Sequence, residues 1–333
     1  MRVLITGGAG FIGSHLADSL LRGQNQVVVL DDLSTGSPDN IGHLLNRSGF
    51  TFHRDTLFNR ELLEKLIAES EIVYHLAAAV GVKRIIESPV ETIETNVGGT
   101  ELVLRLAAVA SRRIVLASTS EVYGKSTQLP FHEDGDLVLG ATNHSRWSYA
   151  CSKAIDEFLA LAWHRQCKLP VTIVRLFNTV GPRQTGRFGM VLPTFVRQAL
   201  LGEAITVYGS GEQSRCFTHV SDIVDGLAAI ALHDATIGQI YNLGNTSEIC
   251  INQLARFVLA ATGSGSPIIH IPYDEAYAPG FEDMQRRLPD ITKAQAAFDF
   301  RTRRNLDQIL ADVIADQRTR LDRRSDLVCA ANL

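Results

Sequence analysis

Three glycines at a regular spacing place the strongest constraint on how this chain folds. Gly7, Gly10 and Gly13 follow an apolar run, residues 2–6, and open a helical pattern that begins at Phe11. A tight turn from a strand into a helix needs a residue without Cβ, and a further glycine lets the helix pack closely on the strand. Glycine-rich turns also occur by chance, so the surrounding pattern must decide what this triplet does.

The first half of the chain alternates short β-branched runs with longer stretches of helical periodicity. This alternation predicts a Rossmann-type α/β fold, a doubly wound parallel sheet with helices on both faces. We expect strands over residues 2–6, 26–30, 50–54, 72–76, 113–118 and 171–176. We expect helices over residues 11–23, 59–70, 89–110 and 148–167.

After Asn178 the pattern changes to shorter elements separated by glycine and proline. The late arginines, Arg320 among them, are expected to lie on a solvated end of the chain. The sequence therefore predicts a cofactor domain (1–178, with 219–243 returning to it), a smaller α/β substrate domain (179–218 and 244–317) and a flexible tail (318–333).

Composition excludes several classes of partner. The 32 Lys and Arg against 36 Asp and Glu give a formal net charge of −4, so we expect no nucleic-acid partner. No apolar run approaches the roughly 20 residues that span a bilayer, so we expect no membrane partner. Residues 1–5 run into the glycine turn rather than a cleavage site, which favours the cytoplasm. The five cysteines form no close pair, which disfavours a metal site or a disulfide framework.

The end of the second predicted strand gives the glycine triplet its context. Asp31 and Asp32 stand there, where a carboxylate accepts hydrogen bonds from the ribose diol of an adenine dinucleotide. The N–H groups and the dipole at the start of the first helix hold the pyrophosphate. A carboxylate repels a 2′-phosphate, so the pattern favours NAD over NADP. A strand-end cap is the alternative interpretation of Asp31.

Tyr149 and Lys153 lie four residues apart in a predicted helix, which puts them on one face. A phenol with a pKa of about 10 acts as a base near neutral pH only when a neighbouring cation stabilises its anion. The Lys153 ammonium provides that cation. Such pairs are frequent on exposed helices, but beside a dinucleotide loop we expect this one to be catalytic.

These motifs together resemble a known family. The glycine triplet, the Tyr149–Lys153 pair and the run from Ser118 to Gly124 are similar to the extended short-chain dehydrogenase/reductases that act on nucleotide sugars. The resemblance covers about residues 1–316. It implies that Thr119 hydrogen-bonds the C4 oxygen of the sugar, that Tyr149 removes its proton while a hydride moves to NAD, and that Lys153 holds the nicotinamide ribose.

The resemblance also implies contacts along the rest of the pocket. Taken singly, Tyr208 is more simply a packed aromatic and Arg215 a surface charge, but their order along the chain fits a diphosphate sugar. The implied cofactor-binding residues are Gly7, Gly10, Phe11, Ile12, Gly13, Asp31, Asp32, Leu76, Ala77, Asn96, Tyr149 and Lys153. The implied substrate-binding residues are Lys83, Glu121, Asn178, Arg183, Val191, Tyr208, Arg215 and Arg287.

Glu121 bears on which reaction follows oxidation at C4. The run Thr119-Ser120-Glu121 resembles the UDP-glucuronate decarboxylases, in which this acidic group lies near C5 and C6 of the sugar; the dehydratases usually carry an Asp where Ser120 stands. Arg287, in a run that resembles the basic-x-Pro-Asp motif of the family, falls at the position that meets the sugar acid, and its fork suits a carboxylate. The residues expected to be catalytic are Thr119, Ser120, Glu121, Tyr149, Lys153 and Arg287.

The reaction that the resemblance implies is NAD-dependent decarboxylation of UDP-glucuronate through a 4-keto intermediate. The product is UDP-xylose, with a UDP-4-keto-pentose where the intermediate escapes. The loop from Ala79 to Arg84 is more similar to nucleotide-sugar epimerases, so a UDP-glucuronate or UDP-glucose 4-epimerase is an alternative. A non-catalytic NAD-binding scaffold is disfavoured, because such proteins usually lose the tyrosine or the lysine.

The predicted helix over residues 148–167 is apolar nearly all round, since it contains Ile155, Phe158, Leu159, Leu161 and Ala162. One of its faces can pack on a second subunit, which predicts a homodimer joined through a helix bundle. Packing within the core of one chain is the alternative.

Overall fold

A parallel sheet forms the centre of the protein. The computed structural model describes residues 1–81, 88–186, 190–276 and 284–331. The strands are β1 (Arg2–Thr6), β2 (Gln26–Leu30), β3 (Phe50–His53), β4 (Ile72–His75), β5 (Arg113–Thr119), β6 (Val171–Leu176), β7 (Thr179–Val180), β8 (Ile205–Tyr208), β9 (Ser214–Cys216), β10 (Thr218–His219), β11 (Ile240–Leu243), β12 (Glu248–Cys250) and β13 (Ile268–Ile271).

Seven of these strands pair in the order β3-β2-β1-β4-β5-β6-β11, all parallel. The sheet confirms the predicted fold class, and its first six strands agree with the sequence-based bounds to within one residue. β1 and β2 are buried beyond their first residue, as strands covered on both faces must be. The strand order reverses between β1 and β4, which opens a crevice at their carboxyl ends.

Helices cover both faces of this sheet. One core cluster joins Leu16 of the first helix to Val224 of a later one, and the other joins Leu66, Leu104 and Ala160 across the opposite face. The α-helices are α1 (Phe11–Arg22), α2 (Arg60–Ala68), α3 (Pro89–Ile93), α4 (Gly99–Ala110), α5 (Ser148–Cys167), α6 (Val191–Leu201), α7 (Val220–Ile230), α8 (Ile251–Thr262), α9 (Tyr273–Ala276), α10 (Thr292–Phe298) and α11 (Leu306–Ala331).

The helix expected over residues 89–110 is interrupted. A π-helical turn, Glu94–Gly98, separates α3 from α4. Asn96 lies in this turn and is buried; its side chain accepts a hydrogen bond from the Ala79 N–H at 2.8 Å. The wider turn thus coincides with a polar side chain that braces the segment after β4.

A smaller unit with its own core follows the main sheet. It pairs β8 with β13 and β9 with β12, and its core includes Leu192 of α6, Leu254 of α8 and Ile309 of α11. α7 and β11 pack back onto the large sheet. α11 continues to Ala331 through the segment expected to be a flexible tail. Arg320 pairs with Asp316 one turn earlier, Nε to Oδ2 at 2.9 Å, a contact that favours helix there.

Two kinds of feature are absent from the described residues. Among these residues there is no helix long and apolar enough to cross a membrane. The same part of the chain holds no group of three His, Cys, Asp or Glu side chains arranged to bind a metal ion.

Candidate active site

A cavity of about 990 Å³ runs along the carboxyl edge of the sheet and into the smaller unit. Among the described residues, those that line the cavity do not include Asp32 or Asn96. Lys83 lies outside the described residues. The sequence-predicted residues that line it are Gly7, Gly10, Phe11, Ile12, Gly13, Asp31, Leu76, Ala77, Thr119, Ser120, Glu121, Tyr149, Lys153, Asn178, Arg183, Val191, Tyr208, Arg215 and Arg287.

The turn after β1 is shaped by its glycines. Gly7 has a φ of +74°, and a Cβ there would lie 2.7 Å from the backbone nitrogen of Ala77. A Cβ on Gly13 would overlap the Gly7 carbonyl oxygen, so α1 approaches the turn this closely only because the side chain is missing. The dipole and first-turn N–H groups of α1 face this cavity wall, which fits the pyrophosphate of a dinucleotide.

Asp31 follows β2 and faces the glycine turn. Its Oδ2 accepts a hydrogen bond from the Ala9 N–H at 2.9 Å, and its Oδ1 accepts one from the Leu33 N–H at 2.8 Å. Burial raises the pKa of this carboxyl, and the two N–H donors oppose that rise. Asp31 therefore caps the local turns and also lines the cavity, whereas Asp32 is exposed and accepts from the Ser34 N–H at 2.8 Å.

Tyr149 lies in the first turn of α5, beside the end of β5. Its phenol forms a hydrogen bond with the side chain of Thr119, whose hydroxyl also accepts from the Glu121 N–H at 3.2 Å. Burial, followed by the negative charges of Glu121 and Asp156, raises the pKa of Tyr149 above its ordinary value. The phenol therefore needs a cation nearby before it can act as a base near neutral pH.

Lys153 supplies a cation, but it also has a carboxylate partner behind the cavity wall. Its Nζ lies 2.7 Å from Asp156 Oδ2, and the side chains of the two residues are only 3% and 0% exposed. Lys153 lines the cavity, and among the described lining residues Asp156 is not found. Asp156 is not among the site residues predicted from the sequence, although a carboxylate three residues after a lysine on a helix predicts such a pair.

A second carboxylate lies between two guanidinium groups. Glu121 Oε2 is 2.5 Å from Arg146 Nη1, and Glu121 Oε1 is 2.5 Å from Arg287 Nη2. We call these three buried residues the arginine–glutamate cluster. Burial by itself would raise the pKa of Glu121, but the charges and hydrogen bonds of the two arginines outweigh it and lower the pKa to about 2. Glu121 is therefore ionised near neutral pH.

Arg146 is a site residue that the sequence-based site set omits. It lies in a 3₁₀ turn, Ser145–Trp147, directly before α5, and it lines the cavity. The available signal is its place three residues before Tyr149. Its partner Glu121 is distant along the chain, so the pairing itself depends on the fold.

Further cationic groups line the part of the cavity formed by the smaller unit. Arg215 is buried and donates to the Ser214 carbonyl at 2.8 Å, while Arg183 pairs with Asp18, Nη2 to Oδ2 at 2.7 Å. Arg320 of α11, for which the sequence predicts solvent exposure, also lines the cavity. Guanidinium groups in this arrangement suit phosphate oxygens.

A parallel sheet of this order, with a tyrosine and a lysine one helical turn apart at its carboxyl edge, defines an enzyme of the extended short-chain dehydrogenase/reductase class. The chain belongs to the GDP-mannose 4,6 dehydratase family, whose family model matches residues 4–313. This match confirms the resemblance inferred from the motifs.

The chain is also similar to individual proteins in sequence and in fold. The chain is 41% identical over 314 residues to a UDP-N-acetyl-alpha-D-glucosaminuronate decarboxylase of Bacillus cytotoxicus, covering 94% of this chain and 96% of that protein. It is 40% identical over 296 residues to UDP-glucuronic acid decarboxylase 1 of Xenopus tropicalis, covering 88% of this chain and 66% of that protein. Its fold matches a UDP-glucuronic acid 4-epimerase from Bacillus cereus, solved with UDP-glucuronic acid and NAD, with a TM-score of 0.87 at 27% identity, over 96% of this chain and 99% of that one.

Proposed function

We propose that this chain is an NAD-dependent decarboxylase that converts UDP-glucuronate to UDP-xylose. The observation that carries the proposal is the arginine–glutamate cluster, which lines the cavity together with Tyr149. A guanidinium has five N–H donors, so Arg146 and Arg287 can each bind a second carboxylate without releasing Glu121. The carboxylate of a sugar acid is the group that this pair of forks is suited to receive.

The residues around the glycine turn fit NAD. Gly7 and Gly13 allow a close backbone approach, and Asp31 offers an acceptor to the ribose diol while its charge disfavours a 2′-phosphate. NAD, when bound, accepts a hydride from C4 of the sugar and returns it after decarboxylation. The NAD in the structure of the Bacillus cereus relative supports this assignment.

Tyr149 takes the proton of the C4 hydroxyl as that carbon is oxidised. When the sugar is bound, the Thr119 hydroxyl turns from the phenol and donates its single hydrogen bond to the same sugar oxygen. Burial and two carboxylates raise the pKa of Tyr149, while Thr119 and the charge of Arg146 oppose that rise. The Lys153 ammonium, one turn further along α5, is the additional cation that stabilises the phenolate. The product is a 4-keto sugar whose C6 carboxylate stands β to the ketone.

The C5–C6 bond then breaks and C6 leaves as CO2. Its electron pair enters the C4 carbonyl to form an enolate, which hydrogen bonds from Thr119 and protonated Tyr149 stabilise. Because Glu121 is ionised, it orients Ser120 or a water molecule that delivers a proton to C5, rather than giving up a proton of its own. Tyr149 returns its proton to the C4 oxygen when the ketone is reduced. Each turnover therefore takes up one proton, and early release of the ketone gives a UDP-4-keto-pentose with reduced cofactor.

An N-acetylated sugar acid is a second candidate substrate. The Bacillus cytotoxicus relative is named for decarboxylation of UDP-N-acetyl-glucosaminuronate and matches this chain at 41% identity. Decarboxylation of either sugar acid uses the same C4 and C6 chemistry, so the arginine–glutamate cluster serves both. The group at C2 decides between them, and the two substrates must be compared directly.

A 4-epimerase is the alternative function, and a solved structure of the same fold supports it. The Bacillus cereus relative is named for epimerisation of UDP-glucuronic acid and shares this fold over 96% of the chain. An epimerase reduces the ketone from its other face and retains C6. The two reactions therefore differ in the mass of the product.

Mass spectrometry separates these activities. The protein is incubated with NAD and either UDP-glucuronate or UDP-N-acetyl-glucosaminuronate, with a Tyr149→Phe variant as the matched control. A product lighter by one CO2, formed by the parent and not by the variant, is expected. A product of unchanged mass but altered sugar configuration would assign an epimerase instead, and no product from either substrate would overturn the proposal.

We also propose that the enzyme is a cytoplasmic homodimer. The support for the dimer is an apolar face on α4 and α5, where Val109, Ile155 and Phe158 are 80%, 40% and 65% exposed. A second copy of the chain that supplies the same two helices would bury these side chains in a helix bundle. The cytoplasmic location rests on the sequence alone.

A further inference from the structure

The Lys153–Asp156 pair is part of a buried network of polar side chains. The Thr100 side chain is close enough to the Asp156 carboxyl to lower its pKa. The Thr100 hydroxyl lies 3.1 Å from His75 Nε2, and His75 Nδ1 lies 2.7 Å from the hydroxyl of Thr6. These contacts tie α5 through α4 to the ends of β4 and β1, next to the glycine turn.

The polar groups of this network influence the pKa of Asp156. Burial raises the pKa of Asp156, while the charge and hydrogen bond of Lys153 and the nearby Thr100 side chain oppose that rise. Burial and the charge of Lys153 lower the pKa of His75 to about 3, so this imidazole is neutral. Lys153 is thus the cation that pairs with Asp156, and the contacts with Thr100 and His75 are those of neutral groups.

The next carboxylate on α5 has a separate partner. Glu157 Oε2 lies 2.7 Å from Arg175 Nη2, and its Oε1 accepts a hydrogen bond from Ser118 at 2.5 Å. The charge of Glu157 acts on Asp156 only at a distance. Tyr149 faces three other charged side chains, Glu121, Arg146 and Asp156.

We propose that Asp156 is a positioning residue, which anchors the Lys153 ammonium from behind the cavity wall and so weakens the positive charge that Lys153 presents to Tyr149. The proposal rests on the assignment of Tyr149 as the catalytic base. An ammonium held at 2.7 Å by a fully buried carboxylate is fixed in place, and part of its field is cancelled. Because of Asp156, the Tyr149 phenolate forms at a higher pH than it would beside an unpaired lysine, and the enzyme therefore works at a higher pH.

The test is the Asp156→Asn variant, which keeps the shape and removes the charge. Loss of a negative charge near Tyr149 makes its phenolate easier to form, so the acidic limb of the kcat/KM profile is expected to move about 1 pH unit lower. Asp156→Glu keeps the charge and is expected to restore the parental profile. Asp234→Asn is the matched control, because it removes a charge that is 93% exposed on the surface.

A second readout does not depend on turnover. The phenolate of Tyr149 is titrated by ultraviolet difference absorbance without cofactor or substrate, after subtraction of the corresponding Tyr149→Phe protein. The phenolate is expected to form at lower pH with Asp156→Asn, and also with Asp156→Ser should the first variant fail to fold. An unchanged or higher titration pH in a folded variant would overturn the role of Asp156. The absence of decarboxylation in a protein that shows the shift would instead overturn only the proposed function.

Discussion

Arg287 Nη2 lies 2.5 Å from Glu121 Oε1, so a segment near the end of the chain completes a site that begins after β5. Arg287 is 8% exposed and its neighbour Arg286 is on the surface, paired with Glu248. Adjacent arginines thus serve different purposes, since one faces the cavity and the other faces solvent.

Arg287→Lys is expected to weaken binding of the sugar acid, because an ammonium cannot form two parallel bonds to a carboxylate. A hydrogen bond to a charged group is worth roughly 1.5–3 kcal/mol, so loss of one of the two bonds should lower kcat/KM by at least about tenfold. Arg286→Lys is the matched control and is expected to change kcat/KM little. Steady-state kinetics with UDP-glucuronate measures both, and equal losses in the two variants would remove Arg287 from the site.

Glu121→Gln is expected to destabilise the protein near neutral pH by about 3–5 kcal/mol, because two buried guanidiniums lose their shared carboxylate. The pKa of Glu121 is about 2 in the folded protein and 4.5 ordinarily, so this stabilisation is present above pH 4.5 and is lost as pH falls towards 2. The difference in the free energy of unfolding between parent and variant, measured by urea unfolding, should therefore disappear as the pH falls from 4.5 towards 2. Glu203→Gln, which breaks an exposed ion pair, should cost no more than about 1 kcal/mol at any pH.

Tyr149→Phe is expected to lower kcat by roughly 10²–10⁴-fold, because proton transfer from the C4 hydroxyl loses its acceptor. The ring remains, so the melting temperature should change little. The phenol hydroxyl bonds Thr119, and Thr119→Val tests the other half of that contact. Single-turnover absorbance of reduced cofactor measures the step, and a phenylalanine variant with parental rates would contradict the assigned base.

Asp31→Asn is expected to raise the Kd for NAD about tenfold or more, since a hydrogen bond to a charged group is worth roughly 1.5–3 kcal/mol. Removal of the carboxylate should also reduce the preference of the enzyme for NAD over NADP. Asp32→Asn should have the smaller effect, because Asp32 is exposed and Asp31 lines the cavity. Isothermal titration calorimetry with NAD and NADP measures the Kd of each variant. A larger loss of NAD affinity in the Asp32 variant than in the Asp31 variant would show that Asp32 binds the ribose.

If the proposed homodimer forms through α4 and α5, Phe158→Asp is expected to convert it into a monomer, because the variant places a charge on the exposed apolar face of α5. Leu232→Asp is the matched control, since Leu232 is 63% exposed and lies outside α4 and α5. Light scattering during size-exclusion chromatography gives the mass of each variant. A parent that runs as a monomer would refute the dimer, and so would loss of the dimer in the Leu232 variant alone.

Much of the fold follows from local pattern. β1 to β6 are recognised because they are short runs rich in β-branched or aromatic residues. The glycine triplet is recognised because its backbone geometry admits few other residues. Tyr149 and Lys153 are found together because the helical repeat places them on one face. The π-helical turn at Asn96 is not predicted from the sequence, and it coincides with a contact to Ala79 on another segment of the chain.

The sequence by itself determined the fold class, the dinucleotide turn and the Tyr149–Lys153 pair, because each depends on residues close together in the chain. Only the tertiary structure decided that Arg146 and Arg287 share Glu121, that Asp31 rather than Asp32 lines the cavity, and that Arg320 reaches it. The physical reason is that ion pairing and burial depend on distance in space. Folding brings the ends of β2 and β5 and the late helix α11 to one cavity.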